Sequence, residues 1–143
     1  MSDIKRYIPV KGDSMWPWLL PGDQILCCYD DLPPRRGDIV LSRLDGRMIV
    51  HRVVSTNPVR LKGDRSIVAD PPGLPVLGRV VGMRRGKKIA HWGNRTPPGG
   101  KIAVVMQRLT AIGESGLWWR RLARWFALTT YWVIAKRRGL QGQ

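Results

Sequence analysis

The chain has 143 residues, with 25 Lys+Arg against 10 Asp+Glu, a formal charge of +15 and 43% hydrophobic residues. That length allows one domain with a real core plus one appended element. An apolar fraction near the globular average, with charges interleaved among Val, Ile and Leu, excludes a disordered basic tail, a collagen-like chain and a coiled coil.

The N-terminus, Met1-Ser2-Asp3-Ile4-Lys5-Arg6, has no apolar h-region. The expectation is therefore a chain that starts in the cytoplasm. Next comes Val10-Lys11-Gly12-Asp13-Ser14-Met15-Trp16-Pro17, where Gly12 permits unusual backbone geometry and Pro17 holds Trp16 extended. A serine on such a turn can serve as nucleophile beside backbone N–H groups that receive an oxyanion. Alone, Gly-Asp-Ser reads mostly as a loop. Pro21-Gly22-Asp23 and Gly37-Asp38 read as turns whose carboxylates bond local amides.

From Ile8 to about Ile89 short extended runs alternate with Gly and Pro: 24–29, 38–43, 47–54, 59–62 and 76–83. β-Branched residues dominate them, and the turn spacing is that of an all-β barrel or coiled sheet. Asp45-Gly46 between two runs predicts a hairpin. Cys27 and Cys28 are neighbours, poorly placed for an ordinary disulfide, and the chain has no Cys-x-x-Cys. A reduced environment is expected, with no structural zinc and no cofactor.

Only two histidines occur, His51 and His91. Alternation in 48–54 puts Ile49, His51 and Val53 on one face and Met48, Val50 and Arg52 on the other. A lone strand histidine is ordinarily structural, and His91 has no chemical companion nearby. Lys62-Gly63-Asp64 and Asp70-Pro71-Pro72 place two carboxylates after a strand, where either caps a turn or accepts an imidazole N–H.

The segment 93–100 is rich in Gly and Pro and reads as a linker. Beyond it, residues 101–143 hold eight basic residues, one acid and four of the seven tryptophans. Leu117 to Arg138 lacks Gly and Pro and predicts an amphipathic helix roughly 33 Å long. Its uncharged stretch, 125–135, spans about 16 Å and falls short of a bilayer. It suits the surface of an anionic membrane, with packing on the β domain or a partner as the alternative. The resulting organisation is a β domain over 1–92, a linker over 93–100 and a basic helical segment over 101–143.

In combination and order, these signals carry a resemblance. The run Gly12 to Leu19 with Pro21-Gly22-Asp23 looks like the nucleophile box of the signal peptidase I family. Arg36-Gly37-Asp38-Ile39-Val40 resembles the strand box after it, Ile49-Val50-His51-Arg52-Val53 the base box, Leu61-Lys62-Gly63-Asp64 through Asp70 the paired-aspartate box, and Gly78-Arg79-Val80-Val81-Gly82 the final strand. Histidine in the base position matches the archaeal and endoplasmic-reticulum type branch.

The resemblance implies a mostly β fold, a coiled sheet or partly open barrel of the signal peptidase type, followed by the C-terminal amphipathic helix. It further implies a serine endopeptidase in which Ser14 attacks, His51 moves the proton and Asp70 orients His51. Asp64 matches the first family aspartate and either orients His51 instead or braces its own turn. Substrates of the family are extended segments with small side chains before the cut.

Three departures bear on this. Gly12 stands where many members have a serine that donates to the oxyanion. The usual N-terminal anchor does not precede Ser14, and the C-terminal helix is a candidate replacement. The long inserted β domain of large bacterial members is absent. A specialised maturation protease for a leader or precursor peptide, cytoplasmic and peripheral at a membrane, fits these departures, and nucleic acid is not an expected partner. The competing expectation is a non-catalytic basic binding module for a membrane surface or nucleic acid. A lysine base, Lys11 or Lys62, is the other catalytic alternative.

Overall fold

Residues 4–97, 99 and 100 are described by the computed structural model. Seven strands form one antiparallel sheet: β1 (Ile4–Pro9), β2 (Gln24–Tyr29), β3 (Ile39–Leu44), β4 (Arg47–Thr56), β5 (Val59–Lys62), β6 (Val76–Arg85) and β7 (Lys88–His91). Their order is β1-β2-β6-β3-β4-β5, with β7 on β6 beside β3. The sheet is open, with β1 and β5 at its ends among the described residues, so it does not close into a barrel. The described residues contain no helical element, and the C-terminal helix read from the sequence lies outside them. Among them no helix is long and apolar enough to cross a membrane.

Local chemistry explains the hairpins. Asp45 and Gly46 join β3 to β4 with φ of 49° and 76°, the double left-handed turn that matches strand twist and that Asp-Gly accepts at low steric cost. Asn57 and a cis Pro58 join β4 to β5, and Gly86-Lys87 joins β6 to β7. The runs read from the sequence correspond to β2 through β6. Strands β1 and β7 escaped because they are sheet-edge pieces carrying Lys5, Arg6 and Lys88, without the apolar runs that mark central strands.

Strand alternation divides the core between two faces. On one, Ile25, Ile39, Val80 and Met83 pack with Met15 and Leu19 from the loop after β1. On the other, Val40, Val53 and Leu61 form a second cluster. Each fully buried aliphatic side chain contributes about 1.5–3 kcal/mol. Met15 and Leu19, at 2% and 1% exposure, therefore tie the serine loop to the sheet about as firmly as core residues are tied. Both cysteines are buried, and neither forms a disulfide among the described residues.

Candidate active site

The Ser14 loop is a series of tight turns. Asp13 O accepts the Trp16 N–H at 3.0 Å, and Met15 O accepts the Trp18 and Leu19 N–H groups at 3.0 and 3.1 Å. Asp23 accepts the Leu20 N–H at 2.7 Å and pairs with Arg85, closing the loop, and Asp38 accepts the Arg35 N–H at 2.8 Å, as the turn reading expects. The Ser14 carbonyl receives the Arg65 N–H at 2.8 Å, which ties the serine loop to the segment after β5. Those backbones touch because residue 63 is glycine. A Cβ there would lie 2.8 Å from Ser14 O and 3.1 Å from Ser14 Cβ.

His51 sits on β4, directly opposite Val40 on β3. Its Nε2 lies 3.1 Å from Ser14 Oγ, and its Nδ1 lies 2.5 Å from Asp70 Oδ2. An ionised carboxylate only accepts, so Nδ1 carries the proton of the neutral ring, and bare Nε2 is left to accept from the Ser14 hydroxyl. Asp70 is held in turn: its N–H donates to Leu61 O at 2.8 Å, so the chain returns alongside β5. With His51 only 8% exposed, the imidazole is shielded and its two hydrogen bonds are protected from competing water.

Ser14, His51 and Asp70 thus come together, and Asp64 does not join them. Both Asp64 oxygens bond Arg52, at 2.9 Å to Nε and 2.7 Å to Nη2, while Arg52 Nη1 donates to Gly37 O at 2.9 Å. The alternative in which Asp64 orients His51 is corrected by alternation: His51 and Arg52 project from opposite faces of β4, and Asp64 reaches the Arg52 face. Arg52 is fully buried and the Asp64 side chain 2% exposed, so this pair braces the turn. Arg52, Gly63 and Arg65 were not nominated from the sequence. Arg52 alone carried a signal, as a charge inside an otherwise apolar strand run.

His91 lies exposed on β7 opposite Gly82, outside this constellation. Among the described residues no group of three or more His, Cys, Asp or Glu side chains is placed to hold a metal ion.

An antiparallel sheet that presents a serine, a histidine and an aspartate in hydrogen-bonded series is a site of the serine-peptidase type. Consistent with that, the family model described as Peptidase S24-like matches residues 5–69, a span that includes Ser14, His51 and Asp64 and ends one residue before Asp70. Over that stretch, which is less than half of the chain, the sequence is similar to the Peptidase S24-like family. No curated protein and no solved structure matches the chain.

Proposed function

We propose that the protein is a serine endopeptidase of the signal peptidase I type, in its histidine-based branch, and that it cleaves a leader or precursor peptide after small residues. The observation that carries this reading is the series Ser14 Oγ, His51 Nε2 at 3.1 Å, and His51 Nδ1 with Asp70 Oδ2 at 2.5 Å. Ser14 Oγ attacks the scissile carbonyl carbon as its proton passes to His51 Nε2. Asp70 stabilises the imidazolium, which then protonates the departing amine. Water, activated by the same imidazole, releases the acyl group. Proton transfer by a positioned base contributes typically 10²–10⁴-fold.

Substrate geometry supports the same reading. Strand β5 covers β4 only from Arg52 to Thr56, so the outer edge of Met48 to His51 faces no strand among the described residues. An extended peptide added there gains main-chain hydrogen bonds and passes the Ser14 hydroxyl. The basic, Trp-rich composition of 101–143 supports a peripheral position on an anionic membrane surface, with the domain cytoplasmic.

The test is mass spectrometry of an extended peptide library, rich in small residues, incubated with wild-type and Ser14→Ala protein in the presence of anionic vesicles. Cleavage by wild type alone, lost also in His51→Ala, is the expected result. Cleavage that persists in His51→Ala overturns the assignment of the base in favour of a lysine. No cleavage by wild type, with salt-sensitive vesicle binding that survives Ser14→Ala, points to the binding module instead.

A further inference from the structure

Ser14 joins two halves of its loop that are held very unequally. Downstream, Met15, Trp18 and Leu19 are all buried. Upstream, Val10 is fixed by backbone bonds to Asp23 and Gly22, but Lys11, Gly12 and Asp13 are exposed, and their N–H groups donate to nothing among the described residues. The Ser14 N–H has no acceptor among them either. Its direction follows from the turn that starts at Asp13. The Asp13 C=O is aimed at the Trp16 N–H, and in a trans peptide the N–H points opposite to the C=O, so the Ser14 N–H points away from the turn. Gly12 brings no side-chain donor, so a backbone N–H at the serine has to meet the oxyanion.

One residue reaches that peptide from both sides. The Arg65 guanidinium pairs with the Asp13 carboxylate, and the Arg65 N–H donates to Ser14 O at 2.8 Å. The two contacts flank the Asp13–Ser14 peptide and hold the residue at each of its ends. Without the ion pair, Asp13 is tied only by one exposed turn bond to Trp16, and exposed single hydrogen bonds open readily.

We infer that Asp13 and Arg65 are positioning residues, whose ion pair, together with the Arg65 N–H to Ser14 O bond, clamps the Asp13–Ser14 peptide so that Ser14 Oγ stays within reach of His51 and the Ser14 N–H stays aimed at the developing oxyanion. The inference rests on the peptidase reading for its chemistry, and its test separates the two. The Asp13 and Arg65 side chains are 57% and 47% exposed, so their pair adds little to global stability, and its weight falls on local geometry. An exposed pair is also screened by salt, far more than the buried Arg52–Asp64 pair. Turnover is therefore expected to fall as ionic strength rises.

The test uses full-length Asp13→Asn, Arg65→Gln and the charge swap that combines Asp13→Arg with Arg65→Asp. The amide-exchange protection factor of residue 65, whose N–H holds the Ser14 carbonyl, reads the clamp without any cleavage. In each single variant the expected result is protection lower by about three- to fivefold, the ceiling for an exposed pair, with the melting temperature nearly unchanged and protection recovered in the swap. On the best peptide from the library, kcat falls by a similar factor at constant KM and is restored in the swap. NaCl at about 1 M brings wild-type kcat down to that of the single variants and leaves theirs flat. A pair that only braced the fold would move the melting temperature and not kcat at constant KM. Unchanged protection in both single variants, or a swap that restores nothing, overturns the clamp even where peptides are cut. So does an unmoved kcat in variants that lose protection, or a KM that rises at constant kcat, which places the pair on the substrate instead. Swap-reversible loosening with no cleavage of any peptide by wild type sustains the clamp on the Ser14 loop and sinks the peptidase reading.

Discussion

His51 and Arg52 are consecutive on β4, and each meets its own aspartate: His51 meets Asp70 on one face of the sheet, and Arg52 meets Asp64 on the other. The twelve residues from Asp64 to Pro75, which lead from β5 to β6, fold back along β5 so that the two carboxylates, Asp64 and Asp70, serve two faces. On the peptidase reading proposed above, the His51–Asp70 pair belongs to the chemistry, while the Arg52–Asp64 pair belongs to the scaffold.

That division predicts opposite signatures for two similar substitutions. Asp70→Asn removes the acceptor that fixes the His51 tautomer, and kcat falls by as much as about 10⁴-fold while the melting temperature changes little. Asp64→Asn leaves the fully buried Arg52 without its carboxylate, and loss of one partner of a buried pair costs about 3–5 kcal/mol. For Asp64→Asn the main loss is therefore in stability. Peptide turnover and thermal unfolding measured on both variants check the split, and a melting-temperature drop confined to Asp70→Asn would reverse the assignment.

Gly63 is the point where the two loops of the site touch. In Gly63→Ala the new methyl meets Ser14 O at 2.8 Å, closer than real Cβ contacts, and that atom is backbone that already accepts from Arg65. The Ser14 loop must shift, and displacements near 1 Å at a reacting group cost about 10²-fold. Turnover should fall by about that factor with the sheet intact, as judged by an unchanged far-ultraviolet circular dichroism spectrum.

Much of this arrangement was legible in the sequence where a single physical signal dominated. The β-branched runs mark the central strands, Asp45-Gly46 marks its hairpin, and alternation in 48–54 puts His51 opposite Arg52. The choice between Asp64 and Asp70 was not legible. Both follow a strand in a Pro- and Gly-containing loop, and which face each reaches depends on how 65–73 folds back along β5, through the Asp70 N–H to Leu61 O and Gly73 N–H to Val59 O bonds. The close approach of Gly63 to Ser14 was hidden for the same reason, since it joins residues 49 positions apart. Edge strands β1 and β7 carry exposed charges, Lys5, Arg6 and Lys88, and lack the pattern of buried strands.

Acid stability depends on the Asp30–Arg79 pair. Burial raises the Asp30 carboxyl, but the hydrogen bond and charge of Arg79 lower it further, with help from the Cys28 thiol and the Leu32 N–H, and the net shift is downward. A folded-state pKa below the unfolded one means that the ionised form is favoured by folding. Its contribution is fully present above the unfolded value of about 3.9 and is lost as pH falls through the folded value. Asp30→Asn removes this contribution, so the variant should melt lower at neutral pH and lose less stability than wild type on acidification below about pH 4. Thermal unfolding of both proteins from pH 7 to pH 2 checks this, and parallel curves throughout the range would count against it.

Gly12 offers a gain-of-function test of the transition-state argument. In the resemblance to signal peptidases its position is the one where many members have a serine hydroxyl that donates to the oxyanion. Here a Cβ at Gly12 would meet nothing within 4 Å, and no left-handed φ stands in the way of a side chain. Losing one oxyanion donor costs about 10²–10³-fold in turnover where it has been removed elsewhere, so restoring one has a large ceiling. Gly12→Ser should raise kcat on the best peptide from the library by tenfold or more with KM nearly constant, because the added hydrogen bond forms to the charge that develops in the transition state. Gly12→Ala, which fills the same space without a donor, should leave kcat where wild type has it. An equal rise in both variants would show that loop rigidity, and not a missing donor, limits the reaction.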